Sequence, residues 1–282
     1  MEKIVYIAGK FVPSSEAKVS VFDRGFLFGD GIYEVIPVYQ GRLCFFDRHM
    51  QRLASSLASA RITEPQCDWR TIFDQLIDQN GSGNMQIYLQ ITRGWQENRN
   101  HDLSHDLTPT VVAFTLNMPY FTTTQKRQGL NARLVEDIRW KRCDIKATSL
   151  LANVLLNDEA VSAGADTALL IRNGYLTEGS SSNVFIVDAD GVIRTPPTDG
   201  LCLPGITRQL TIELVNSLNW TFQENKINKD DIFAAKEVWI TSTTKEIFPV
   251  AKINDKTTGD IRKWQYWETI NNRYQQLIKN EQ

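Results

Sequence analysis

Two tight-turn signals do most to fix what this 282-residue chain can fold into. Asn173-Gly174 stands between the strand-like runs 167–171 and 175–177, and Asp188-Ala-Asp-Gly191 stands between 183–187 and 192–194. Asn-Gly favours a type I′ turn, whose twist matches that of two antiparallel strands. Further β-rich runs lie at 4–8, 18–22, 85–92, 110–117, 131–135 and 238–241. Helical patterns fall between them at irregular intervals. Asp47 is expected to cap a helix carrying Met50, Leu53, Leu57 and Ala60 on one side. Asp68 is expected to cap another with Ile72, Leu76 and Ile77 inward, ending at Asn80-Gly81. Residues 149–164, 206–218 and 260–279 also read as helices. Antiparallel hairpins mixed with helices, without a regular βαβ rhythm, predict an α+β fold rather than a doubly wound sheet.

Pro119 and the hydroxyl-rich run Thr122-Thr-Thr-Gln125 interrupt regular structure. They place a linker at 119–123 between an N-terminal domain, 1–118, and a C-terminal domain, 124–282. The formal net charge of −2 argues against nucleic acid or an acidic membrane surface as partner. No run approaches the ~20 apolar residues needed to cross a bilayer, and the N-terminus lacks the apolar core of a signal peptide. Cys44, Cys67, Cys143 and Cys202 are far apart and histidines number three, so no metal site is expected. Reduced thiols and a cytoplasmic location are the expectation.

The chemistry concentrates on Lys146, in Cys143-Asp-Ile-Lys-Ala-Thr-Ser149, and on Glu178, in Thr177-Glu-Gly-Ser-Ser-Ser-Asn-Val184. An amine that forms a Schiff base, followed by a carboxylate that keeps a pyridine nitrogen protonated, is what pyridoxal phosphate chemistry requires. Either residue alone reads as an ordinary surface group or turn residue. Trp140, Arg142 and Ile145 are the neighbours expected to surround the lysine. Pro204-Gly205, followed by Ile206 and Thr207 at a helix start, looks like an anion cradle made of free N–H groups. Thr241-Ser-Thr-Thr244 adds hydroxyl donors. Arg52, three residues after His49, offers a fixed charge for the same anion.

These segments occur in order with Asp23-Arg-Gly-Phe-Leu-Phe-Gly-Asp-Gly-Ile-Tyr-Glu34, His49-Met-Gln-Arg-Leu53 and Tyr88-Leu-Gln-Ile-Thr-Arg-Gly94. Over nearly its whole length the chain resembles the class IV, fold-type IV aminotransferases that use pyridoxal phosphate. Among them it resembles the D-amino acid aminotransferases, through Arg99-Asn-His101. The resemblance implies two α+β domains with the cofactor in the cleft between them, and a homodimer whose partner loop completes each site. It implies Lys146 as the catalytic, cofactor-holding residue. Arg52, Glu178, Ser181, Ser182, Asn183, Gly205, Ile206, Thr207, Ser242 and Thr243 are implied as cofactor contacts. Tyr33, Arg99, His101, Thr243 and Thr244 are implied for the substrate. The implied reaction carries an amino group from D-alanine to 2-oxoglutarate. Branched-chain L-amino acid aminotransferase and aminodeoxychorismate lyase are the alternatives. Two departures stand out: residues 102–108 lack the family's Phe-Pro pair, and Thr167 replaces a glutamate.

Overall fold

The computed structural model describes residues 2–81, 83–103, 106–117, 120–260 and 264–281. The expected domain end at 118, Pro119 of the linker, and Ser104 and His105 of the 102–108 loop lie outside the described residues. The chain divides into two units. One comprises Met1–Pro119, Ile145–Leu150 and Glu281–Gln282, the other Tyr120–Asp144 and Leu151–Asn280.

The first unit runs β1 (Ile4–Ile7), β2 (Lys10–Pro13), α1 (Arg24–Phe28), β3 (Gly31–Tyr39), β4 (Arg42–Leu43), α2 (Phe46–Ala60), α3 (Trp69–Asn80), β5 (Met85–Thr92) and β6 (Thr110–Leu116). The strands form an antiparallel sheet in the order β2-β1-β6-β5-β3-β4. Alternation puts Ile32 and Ile36 of β3, Met85, Ile87, Leu89 and Ile91 of β5, and Val111 and Ala113 of β6 into one core. That core also contains Leu53 and Leu57 of α2 and Ile72, Phe73, Leu76 and Ile77 of α3.

Asp68 caps α3 as expected, accepting from the Thr71 N–H at 3.2 Å. Asp47 does not cap α2. Phe45, in a left-handed turn at φ 56°, precedes a helix that starts at Phe46. Asp47 therefore sits inside the first turn, where its charge faces the positive helix end. Nor is 18–22 a strand: it has no regular structure, and Val19, Val21 and Phe22 are exposed. β-Branched residues make a strand only where a neighbouring strand pairs with them, and no strand of this sheet pairs with 18–22.

The sequence reading puts Lys146 in the second domain, yet Ile145–Leu150 belongs to the first unit. Its backbone is stitched to β3. The Tyr33 N–H donates to the Lys146 carbonyl at 2.9 Å, and the Thr148 N–H donates to the Gly31 carbonyl at 2.9 Å. The Thr148 hydroxyl adds bonds to the carbonyls of Gly29 and Gly31 at 3.0 and 3.1 Å. Ile145 joins the first core.

The second unit runs α4 (Thr123–Lys126), β7 (Leu130–Glu136), α5 (Leu151–Ser162), β8 (Thr167–Arg172), β9 (Tyr175–Gly179), β10 (Asn183–Val187), β11 (Ile193–Thr195), α6 (Ile206–Ser217), β12 (Phe222–Glu224), α7 (Lys229–Ala234), β13 (Glu237–Ser242), β14 (Glu246–Ile253), β15 (Lys256–Thr257) and α8 (Gln265–Glu281, residue 281 grouping with the first unit). Its sheet is mixed, in the order β12-β11-β10-β13-β14-β7-β8-β9, with β15 on β14. Asn173 and Gly174 have φ of 52° and 81°, the paired positive values that the type I′ hairpin between β8 and β9 demands. The polar run expected as linker instead starts α4, because Thr122 and Gln125 close a capping box. Leu156 and Ala160 pack α5 onto Val135 of β7 and Ala168 and Leu170 of β8. Leu151, Val154 and Leu155 on the same helix are exposed.

Candidate active site

In the first unit, β3 and the docked segment Ile145–Leu150 set the position of Lys146. Its Nζ stands 4.2 Å from the centroid of the Tyr33 ring. Its backbone N–H reaches the Ser56 hydroxyl at 3.4 Å. Of the neighbours expected from sequence, Ile145 is buried in the first core. Trp140 is exposed, and Arg142 is exposed and paired with Asp144 at 2.9 Å. On α2, His49 and Arg52 share one face at three-residue spacing.

Glu34 of β3 organises that face, and it was not anticipated. Its carboxylate is fully buried and accepts from Arg52 Nε at 2.7 Å and from Arg52 Nη2 at 2.7 Å, one bond to each oxygen. This two-point geometry fixes the plane of the guanidinium. His49 Nδ1 lies 2.8 Å from Glu34 Oε2. An ionised carboxylate only accepts, so Nδ1 carries the proton. Burial raises the Glu34 pKa, but the charge and hydrogen bonds of Arg52, with His49, outweigh it and hold the carboxyl far below its usual range. Burial lowers the His49 pKa and keeps the ring neutral at pH 7. The only sequence signal for Glu34 was its place beside Tyr33 in a strand, where alternation turns Glu34 to the opposite face from Tyr33.

Arg99 and His101 lie on an exposed loop of the first unit. The Arg99 guanidinium carbon is 4.8 Å from the centroid of the Phe28 ring, and the His101 ring is 5.1 Å from the same ring.

In the second unit, Glu178 of β9 is buried at the centre of a charged network. Arg139 donates to its Oε1, while its Oε2 accepts from Asn183 Nδ2 at 3.1 Å and the Leu203 N–H at 3.0 Å. Arg139 directs its fork at Asp137, with Nε to Oδ1 and Nη2 to Oδ2 both at 3.0 Å. Arg172 and the Thr177 hydroxyl complete the Asp137 shell at 3.0 and 2.9 Å. Burial is the largest influence on Glu178 and moves its pKa upward, against the charge and hydrogen bond of Arg139. Asp137, Arg139 and Arg172 were not anticipated as site residues either. Asp137 and Arg139 are two residues apart, but Arg172, Thr177 and Glu178, which complete the network, come from β8 and β9.

Gly205 caps α6 without a side-chain hydrogen bond, so no side chain occupies the helix-start N–H groups around Ile206 and Thr207. Glycine is required there: a Cβ would lie 2.1 Å from Asn183 Oδ1. Asn183 thereby links this turn to Glu178, and its Nδ2 also donates to the Leu203 carbonyl at 2.8 Å. Ser181 is exposed, whereas Ser182 is buried with a hydroxyl that has no hydrogen-bond partner. Ser242, Thr243 and Thr244 are half-buried at the turn between β13 and β14. The Ser242 Oγ accepts from the Lys245 N–H at 3.1 Å and lies 3.2 Å from Thr244 Oγ1. Thr167 is buried, its hydroxyl 3.5 Å from that of Ser180.

The first unit thus offers an amine, and the second a buried carboxylate and a helix start without a side-chain cap. The chain belongs to the class IV aminotransferase family, whose model, Amino-transferase class IV, matches residues 31–253. It is 39% identical over 257 residues to a D-alanine aminotransferase of Bacillus licheniformis, covering 90% of each chain. It is 40% identical over 268 residues to a D-alanine aminotransferase of Staphylococcus aureus (strain COL), covering 92% of each. Among solved structures it resembles the branched-chain aminotransferase of Thermoproteus uzoniensis with norvaline. That likeness has a TM-score of 0.84 at 25% identity, over 96% of this chain and 94% of the other. The fold class read from sequence, α+β with the fold-type IV arrangement of elements, is the one observed. No helix among the described residues is long and apolar enough to cross a membrane.

Proposed function

We propose that this chain is a pyridoxal phosphate-dependent D-amino acid aminotransferase. It takes an amino group from a D-amino acid, D-alanine being the expected donor, and gives it to a 2-oxo acid such as 2-oxoglutarate. The observation that carries the choice of D-amino acids is the identity of about 40% to curated D-alanine aminotransferases over nine-tenths of the chain. The Arg99-x-His101 loop on its Phe28 support agrees with it.

The residues present fit the cofactor. Gly205 leaves the α6 start free of a side-chain cap, as a phosphate ester needs. Buried Glu178, its carboxylate oriented by Arg139, Asn183 and the Leu203 N–H, offers a fixed acceptor for a pyridine-nitrogen N–H. When bound, pyridoxal phosphate supplies an aldehyde for amine capture and a ring that draws electrons from the substrate Cα. Lys146 Nζ would hold that aldehyde and, once displaced by the substrate amine, would as a free amine move the proton away from Cα. Glu178 keeps a proton on the ring nitrogen, with Asn183 orienting its carboxylate and Ser181 and Ser182 on the adjoining turn. Gly205, Ile206, Thr207, Ser242 and Thr243 receive the phosphate, and Arg52, aligned by Glu34, adds a fixed charge. Tyr33, Arg99, His101, Thr243 and Thr244 receive the substrate carboxylate, which fixes the face of Cα presented to the base. The active form is a homodimer, for which the exposed apolar residues Leu151, Val154 and Leu155 of α5 supply contact surface.

The test is a panel of D- and L-amino acids with 2-oxoglutarate. D-Alanine turnover with little L-leucine turnover is expected, and turnover of L-leucine alone overturns the assignment. Borohydride reduction with the cofactor followed by peptide mapping should label Lys146. A label on another lysine rejects its role.

A further inference from the structure

We infer that Arg24 and Phe28 are positioning residues that preset the Arg99–His101 loop for a substrate carboxylate. This rests on the proposed role of Arg99 and His101. Arg24 governs the backbone. It is buried, and its Nη1 donates to the Asn100 carbonyl at 2.6 Å and reaches the Asp102 carbonyl at 3.5 Å, so it grips the chain on both sides of His101. Asp30 holds the guanidinium in place, accepting from Arg24 Nε at 2.7 Å. Asp30 is itself anchored by Arg93, through bonds of 2.8 and 2.9 Å to its two oxygens. Arg93 Nη2 also donates to the Ala60 carbonyl at the end of α2, at 2.8 Å.

Phe28 governs the side chains. Its ring carries the Arg99 guanidinium carbon at 4.8 Å, the Arg24 guanidinium carbon at 4.9 Å and the tilted His101 ring at 5.1 Å from its centroid. An aromatic face attracts a guanidinium without using its N–H donors, so Arg99 is held while its fork stays available to an anion. The loop is also knit internally. Gln96 Nε2 donates to the Asn98 and Asn100 carbonyls at 2.9 and 3.3 Å, and the Asp102 N–H donates to Asn100 Oδ1 at 3.1 Å. The platform α1 is rigid at both ends. Asp23 caps it through the Gly25 N–H at 2.8 Å, and Gly29 closes it in the left-handed conformation. Phe26, on the same short helix, is 75% exposed and touches none of these groups, which makes it an internal control.

The holoenzyme is compared with Phe28→Leu, Phe28→Tyr, Phe26→Leu, Arg24→Lys and Arg99→Ala. Steady-state constants for D-alanine are measured, with a calorimetric Kd for D-lactate, which presents the carboxylate but no amine, and a thermal midpoint. Phe28→Leu should raise KM and the D-lactate Kd about fivefold to tenfold, with kcat within about twofold and the midpoint unmoved. Phe28→Tyr and Phe26→Leu should stay near the parent, and Arg24→Lys should follow Phe28→Leu. If Arg99→Ala weakens D-lactate while Phe28→Leu does not, the positioning role is overturned and the carboxylate reading stands. If Arg99→Ala changes neither constant, the carboxylate reading falls and takes this inference with it. A Phe28→Leu variant that loses thermal stability and kcat at unchanged KM also overturns the inference, because the ring is then only a packing element.

Discussion

Each unit buries a glutamate against an arginine, and the proton affinities of the two carboxylates shift in opposite directions. Glu34 receives the full fork of Arg52, one nitrogen to each oxygen, with His49 added. Glu178 receives a single nitrogen of Arg139, whose fork is engaged by Asp137. Burial pushes both upward; the opposing charge wins at Glu34 and loses at Glu178. Proximity of opposite charges therefore does not set a buried acid's protonation. The share of the guanidinium it commands, and the neighbouring Asp137 charge, decide the outcome. In the proposed chemistry the difference is useful. A permanently ionised Glu34 aligns Arg52, while Glu178 has to hold a proton at the cofactor ring.

Three measurements press on this contrast. The largest expected effect is on turnover: Glu178→Gln should lower kcat about 10²–10⁴-fold, the range for a lost acid–base group. An unchanged kcat would leave Glu178 with no chemical role. The next is on stability. Glu34→Ala removes the carboxylate that takes two bonds from buried Arg52 and should cost about 3–5 kcal/mol in urea unfolding. Glu178→Gln leaves Arg139 its bonds to Asp137 and should cost about 1–3 kcal/mol. Equal losses would erase the distinction between a full and a shared fork. The smallest is the sign of a pH trend. The depressed Glu34 contributes stability that is full above the ordinary glutamate pKa of 4.5 and is lost as pH falls toward its folded value. The deficit of Glu34→Gln against the parent should therefore shrink on acidification. Glu178 is raised, so its ionisation penalty appears as pH climbs above 4.5, and Glu178→Gln should gain on the parent as pH rises. Thermal midpoints between pH 3 and 7 read both trends, and trends of the same sign would break the comparison.

The contrast was invisible in the chain as a string, although much else was not. Asn173-Gly174 gave its hairpin, and Leu53, Leu57, Ile72 and Leu76 gave the inward faces of α2 and α3, because turn preference and periodicity act over a few residues. Lys146 and Glu178, each ordinary alone, stood out because their segments occur in order with the other motifs of the resemblance. Asp47 and the run 18–22 misled for a related reason. A cap needs the backbone of its neighbours, here preempted by the left-handed Phe45, and a strand needs a neighbouring strand that pairs with it.

The sequence by itself determined the α+β class and most of its elements, and it singled out Lys146 and Glu178 as the proposed amine and acid. Those depend on local conformational preference and on intrinsic side-chain chemistry. Only the tertiary structure decided that Ile145–Leu150 would dock along β3, and that Glu34 would take two nitrogens of Arg52 while Glu178 takes one of Arg139. Charge state and orientation in a buried site are set by groups brought within about 3 Å from distant parts of the chain, an arrangement that no local preference specifies.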